Sequence, residues 1–97
     1  MNSEPDKGFV YIVTNRSNGT LYIGSTDNIR RRVEDHRKGK CYFTQKYGLF
    51  RLVWYEKQES LEHARKREHQ IKKWNREWKI RMIVEQNPNW IDLYCEL

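Results

Sequence analysis

The dipeptide Asn18-Gly19, set between two runs of strand-forming residues, constrains this chain more than any other feature. Phe9-Val10-Tyr11-Ile12-Val13 on one side and Thr20-Leu21-Tyr22-Ile23-Gly24 on the other are rich in β-branched and aromatic residues. An Asn-Gly pair accepts the positive φ that a type I′ hairpin demands at both central positions, so the two runs are expected to pair as an antiparallel hairpin. With Asn18 and Gly19 as the loop, Ser17 faces Thr20, Val13 faces Gly24 and Tyr11 faces Thr26. Paired residues share a face, so Tyr11, Val13, Tyr22 and Gly24 all point to one side. Gly24 brings no side chain to that face, which leaves a hollow beside the two tyrosines. The plain alternative is that both tyrosines are strand aromatics packing a core.

The second run ends in a change of structure. Ser25-Thr26-Asp27-Asn28 offers side-chain oxygens that cap a helix, and a helix is expected to start near Asn28 and stop at Gly39 in a left-handed conformation. Ile29 and Val33 form its apolar stripe. Arg32 and His36, four residues apart, share a neighbouring face. Arg30, Arg31 and Arg37 spread around the rest, where a solvated basic surface is the ordinary reading.

Residues 40–48 form a basic, aromatic loop with room for a helical turn. Interleaved Lys40, Tyr42, Lys46 and Tyr47 suit a phosphate backbone with stacked bases, and the aromatics suit a satellite core as well. Residues 49–56 alternate as a third, half-buried strand. A helix is expected over 61–75, its apolar stripe running Leu61, Ala64, position 68 and Ile71, continued by Trp74 and Trp78. Position 68 is a glutamate. A carboxylate on a stripe that faces a sheet needs a partner, because burying it unpaired is costly; an arginine or a metal ion would serve. A basic amphipathic helix is expected over 74–86, with Trp78, Ile80, Met82 and Ile83 toward the core. It ends at Asn87 before Pro88, and 90–94 closes the fold as a helical turn.

Ninety-seven residues suit one domain, here 8–97 behind a polar tail of residues 1–7. Nineteen basic against thirteen acidic residues give a net charge of +6, which favours a polyanion. Nucleic acid is the expected partner, DNA ahead of RNA. It ranks before a membrane surface, because no long apolar run or basic amphipathic anchor appears, and no membrane partner is expected. Cys41 and Cys95 lack a neighbour at metal-ligand spacing and are expected as reduced thiols of a cytoplasmic, monomeric protein.

Tyr11-Ile12, the Asn-Gly turn, Tyr22-Ile23-Gly24, an arginine eight residues after that glycine, a histidine four further on, and a later helical glutamate together resemble the GIY-YIG nuclease family. The resemblance spans nearly the whole chain. It is nearest to small single-domain members related to the nuclease module of the excision-repair incision subunit, whose C-terminal half resembles Arg67-Glu-His-Gln-Ile-Lys-Lys-Trp and Asn87-Pro-Asn-Trp. It implies an α+β fold, a three-stranded antiparallel sheet flanked by helices. It also implies Tyr11 and Tyr22 as the signature tyrosines, Arg32 as the catalytic arginine, His36 one turn later, and Glu68 as the ligand of one divalent cation. Asn87 is matched to the family asparagine. Two positions depart from the pattern: Gly8 stands one residue early before Phe9-Val10-Tyr11, and Ser25 replaces a lysine that helps position water in some relatives.

The implied chemistry suits these residue types. Phosphodiester hydrolysis needs an activated water and neutralisation of charge on the phosphoryl oxygens. Glu68 would hold Mg²⁺ or Mn²⁺, hard cations that prefer carboxylate and water. Arg32 offers a guanidinium fork to phosphoryl oxygens. A phenol beside a metal and an arginine can relay the water's proton, a role that falls to Tyr11, with Tyr22 and His36 orienting water or phosphate. Gly24, Ser25 and Asn87 would support this site, and Arg30, Arg31, Lys40, Tyr42, Lys46 and Lys72 would hold nucleic acid. The competing reading is a nucleic-acid-binding module that keeps the fold without the catalysis.

Overall fold

The computed structural model describes residues 7–39 and 42–97, with the side chains of residues 42–44 left aside. The expected tail over 1–6, the expected roles of Lys40 and Cys41, and the Tyr42 side chain lie outside what is described. The elements run β1 (Gly8–Thr14), β2 (Leu21–Thr26), α1 (Ile29–Arg37), α2 (Tyr42–Tyr47), β3 (Arg51–Gln58), α3 (Leu61–Lys72), α4 (Arg76–Gln86) and a short 3₁₀ turn, Leu93–Glu96. The strands form one antiparallel sheet in the order β2-β1-β3. The expected α+β architecture is therefore present, with helices on both faces.

Alternation along the strands builds two cores. Val10, Ile12 and Ile23 point to one side, where Ala64 and Ile71 of α3 and Ile83 of α4 cover them. Tyr11 and Val13 point to the other, under Ile29 and Val33 of α1 and beside Leu93. In β3 the register slips opposite Ile12 and Val13, which pair with Trp54 and Leu52, so Val53 is a bulge residue. That bulge puts Val53 and Trp54, neighbours in sequence, into the same core.

The hairpin corrects the expected turn. Tyr11 pairs with Gly24 and Val13 with Tyr22, two residues away from the register of an Asn18-Gly19 loop. The connection is instead residues 15–20. The Thr14 hydroxyl donates to the Thr20 carbonyl at 2.7 Å, the Asn15 side chain accepts from the Thr20 amide at 3.2 Å, and the Gly19 amide donates to the Arg16 carbonyl at 2.9 Å. Side-chain bonds to nearby backbone have replaced the last rungs of the ladder. Asn18 takes the positive φ, 57°, while Gly19 is needed for space, since a Cβ there would lie 1.9 Å from Asn15 Oδ1. A slip of two residues preserves the face of every side chain, so the tyrosines and Gly24 share one side as expected.

Asn28 caps α1, accepting from the Arg31 amide, and Gly39 follows the helix at φ 78°. Ser60 caps α3 by accepting from the His63 amide. The single helix expected through 75 stops at Lys72, because Asn75 turns its side chain onto the Trp78 amide and starts α4. That break leaves Trp74 partly buried and Trp78 52% exposed, against its expected place in the core. The terminal turn forms three residues later than expected. Asp92 accepts from the Leu52 amide and pairs with Arg37, and the Tyr94 hydroxyl donates to Glu34 at 2.5 Å, so the C-terminus ties α1 to β3.

Candidate active site

β1, β2 and α1 bring three rings together. Tyr11 and Tyr22 have centroids 6.4 Å apart, and His36 lies 5.6 Å from the first and 5.4 Å from the second. The Tyr11 hydroxyl lies 2.9 Å from His36 Nε2. Gly24 makes this possible: a Cβ built on it would fall 2.5 Å from the Tyr11 hydroxyl oxygen and 2.7 Å from its ring carbon Cζ. The side-chain-free hollow expected at Gly24 is filled by the phenol of the residue paired with it.

Burial and charge divide the work among these groups. Tyr11 is 1% exposed and His36 0%, whereas Tyr22 keeps open surface. His36 is pushed down to about 4, first by burial and second by the Arg32 guanidinium, with Asp35 pulling weakly the other way. The imidazole is therefore neutral at neutral pH, with Nε2 sharing a hydrogen bond with the Tyr11 hydroxyl. Arg32 is held above its ordinary value, chiefly by its hydrogen bond to Tyr11, against the cost of burial and with help from Tyr22. A permanent cation thus stands on two phenols, one turn from a neutral imidazole.

Glu68 comes to β2, an outer strand, from α3 on the face of the sheet opposite this cluster. One carboxylate oxygen accepts from the Ser25 hydroxyl, and the other lies 2.5 Å from Lys72 Nζ. The glutamate side chain is only 15% exposed. The partner it takes among protein groups is thus a lysine one turn along and a serine, in place of the expected arginine. Ser25 also lines an open hollow of about 300 Å³ with Asn28, Arg31, Arg32, Asp35 and Arg65. Lys72 lines a second, of about 310 Å³, with Leu21, Tyr22, Ile23 and Lys79. The two partners of Glu68 thus each line one hollow.

The remaining expected residues disperse. Asn87 is 4% exposed and commits its amide to backbone, donating to the carbonyls of Val53 at 3.1 Å and Ile91 at 2.8 Å and accepting from the Ile91 amide. It closes α4 as the helix stop that precedes Pro88. Arg30 donates to the Leu97 carbonyl and lies over Tyr94, and Lys46 lies over the Tyr47 ring. Sequence reasoning missed Arg65, which flanks the first hollow; its position three residues before Glu68, on the same side of α3, was the available signal. It also missed Lys79.

Among the described residues, no three His, Cys, Asp or Glu side chains gather as a metal cluster. The Glu68 carboxylate and the Ser25 hydroxyl are oxygen donors of the type a hard cation takes, and an ion held by them would keep most of its waters. An ammonium already sits at one oxygen, so a cation bound there would have to take its place.

A small sheet carrying two tyrosines, with an arginine and histidine on the first helix and a glutamate on the third, defines a nuclease domain of the GIY-YIG class. The family model described as "GIY-YIG catalytic domain" matches residues 7–81, and the chain belongs to that family of nucleases. It is 39% identical over 82 residues to the UPF0213 proteins of Staphylococcus aureus strains Mu3 and N315, covering 84% of this chain and 99% of each relative. It is also similar to the solution NMR structure of the UPF0213 protein BH0048 from Bacillus halodurans, with a TM-score of 0.52 and 30% identity over 84% of this chain and 86% of that one. A nuclease domain binds nucleic acid, in keeping with the net charge of +6. Among the described residues, no helix is long and apolar enough to cross a membrane.

Proposed function

We propose that this protein is a divalent-metal-dependent endonuclease that hydrolyses phosphodiester bonds in DNA, and that it acts as a cytoplasmic monomer in repair or processing. The observation that carries the reading is the cluster in which the Tyr11 hydroxyl is bonded to neutral, buried His36 with the Tyr22 ring packed on both, and in which these two phenols hold the Arg32 guanidinium charged. A binding surface needs basic charge but has no use for a guanidinium set against one buried phenol, one partly exposed phenol and a buried imidazole.

Arg32, already oriented, offers its remaining N–H groups to the phosphoryl oxygens as charge builds on them. Tyr22, the ring with open surface, orients the attacking water. His36, held near 4, is a poor proton store at neutral pH, so it serves as a positioning residue that fixes the Tyr11 hydroxyl beside Arg32. Glu68 would hold Mg²⁺ or Mn²⁺ with its waters, and such an ion supplies a Lewis acid and a more acidic bound water. Arg31, Arg65 and Lys79 border the two hollows and would hold the flanking phosphates.

One observation favours the second reading, a binding module without catalysis: both oxygens of Glu68 already have partners. The test is cleavage of single-stranded, duplex, nicked and flapped DNA and RNA, each with Mg²⁺, Mn²⁺ or EDTA. Metal-dependent cutting is expected, abolished in Glu68→Gln and lowered by about 10²-fold or more in Arg32→Ala. Full metal-dependent activity in Glu68→Gln would refute the metal-ligand assignment, and binding without cutting on every substrate would leave the second reading.

A further inference from the structure

The ion pair between Glu68 and Lys72 has an asymmetry that a structural pair does not need. Glu68 is 15% exposed and anchored through its other oxygen by Ser25, while Lys72 is 49% exposed and reaches in from the surface. Removing the lysine from this pair returns an ammonium to water that already hydrates half of it. Removing the glutamate would break a part-buried hydrogen bond as well. The pair is therefore built to release one partner and keep the other.

We propose that Lys72 is the resting counter-ion of Glu68, displaced when a divalent cation binds, and that its freed ammonium joins Lys79 in holding an anionic phosphate oxygen beside Tyr22. This rests on the reading of Glu68 as a metal ligand. A divalent ion carries twice the charge of an ammonium, so it wins the same carboxylate wherever it can also keep its waters. Half-exposed lysine pairs are weak and compete poorly. Lysine suits the task better than arginine, whose planar fork would grip both carboxylate oxygens. The released group does not travel far, because Lys72 already lines the hollow with Tyr22 and Lys79. Metal binding at Glu68 thereby places a second positive charge where the substrate passes. By linkage, metal and phosphate each raise the affinity of the other.

The alternative is that Glu68 and Lys72 form an ordinary i,i+4 helix pair, whose loss would weaken α3 and metal binding together. Mn²⁺ binding to the full chain, followed by electron paramagnetic resonance of the free ion, separates the two. Lys72→Met, and Lys72→Gln as a second neutral variant, are expected to bind Mn²⁺ about fivefold more tightly than wild type, since the competitor is gone. Lys72→Arg should bind no more tightly than wild type, and Glu68→Gln should lose the site. Thymidine 3′,5′-bisphosphate, which has phosphates but no internucleotide bond to cut, tests the second half. Mn²⁺ should raise its affinity by a larger factor in wild type than in Lys72→Met, and equal factors would overturn the phosphate role. If both neutral variants bind Mn²⁺ as wild type does or more weakly, while Glu68→Gln binds none, the counter-ion role is overturned and the metal-ligand reading stands. If wild type and Glu68→Gln take up Mn²⁺ alike, the metal-ligand reading fails and the proposal with it.

Discussion

One buried histidine should make this protein sensitive to acid. His36 is fully buried, and its value is pushed from 6.5 down to about 4 by burial and by Arg32. Between those two pH values the unfolded chain binds a proton at this position and the folded chain does not. Stability from a neutral buried histidine is fully present above pH 6.5, falls as pH drops, and stops falling below about 4, where the folded state takes the proton too. At about 1.4 kcal/mol per pH unit, the gap amounts to about 3 kcal/mol, a large share of a small domain's stability. Carboxylate pairs such as Arg67–Glu56 also weaken in acid, so the wild type alone does not isolate the effect. His36→Gln does, because an amide oxygen can accept the Tyr11 hydrogen bond without titrating. Urea unfolding followed by fluorescence of buried Trp54 and Trp90 at pH 7.5, 5.5 and 4 is the assay. Wild type should lose about 3 kcal/mol more than His36→Gln across that range, with nearly half of the excess gone by pH 5.5. Parallel curves, or a His36 ring that titrates near 6.5 by NMR, would refute the reasoning.

Two further substitutions test the packing behind the site. Gly24→Ala puts a Cβ 2.5 Å from the Tyr11 hydroxyl, so it should cost about 1–3 kcal/mol and lower cleavage sharply by breaking the Tyr11–His36 bond; a melting temperature and a rate both equal to wild type would show that the phenol can yield. Asn87→Ala should cost about 2–3 kcal/mol by stranding the Val53 and Ile91 backbone groups, with cleavage by the folded protein unchanged; a lost rate at unchanged stability would return Asn87 to the site.

Much of the site was legible because it depends on period, and period survives errors of register. Tyr11, Tyr22 and Gly24 share a face for any even slip of the hairpin, and Arg32 and His36 share one for any helix that starts near Asn28. The turn itself was illegible for a local reason. Thr14 and Asn15 bond to the backbone of residues 16 and 20, and those side-chain bonds outweigh the preference of Asn-Gly for a two-residue loop. The bulge at Val53 is likewise invisible to alternation, since β3 reads as an ordinary run until its partner strand is known. Glu68 announced itself as an acid on an apolar stripe, but its partners did not. Lys72 looks like any surface lysine of a basic helix, and Ser25 lies on another element. Asn75 was read as the end of one helix when its side chain begins the next, which is why Trp78 was misplaced into the core.

The way these parts meet follows from the pleat of one strand. Gly24 and Ser25 are neighbours on β2, and neighbours in a strand face opposite sides. Gly24 faces α1 and, by having no side chain, admits the Tyr11 phenol that holds Arg32. Ser25 faces α3 and fixes one oxygen of Glu68. The sheet therefore separates the guanidinium from the carboxylate on either side of β2, one of its two outer strands, beside a hollow that Arg32 and Ser25 both line. Opposite charges packed on one face would have satisfied each other as a buried pair, leaving little for a phosphate or a metal. Held on opposite sides of a strand, Arg32 keeps phenols for partners and Glu68 keeps a lysine that is half in water. Each charge is satisfied by a group that leaves it available, which is the condition a hydrolytic site for a polyanion has to meet.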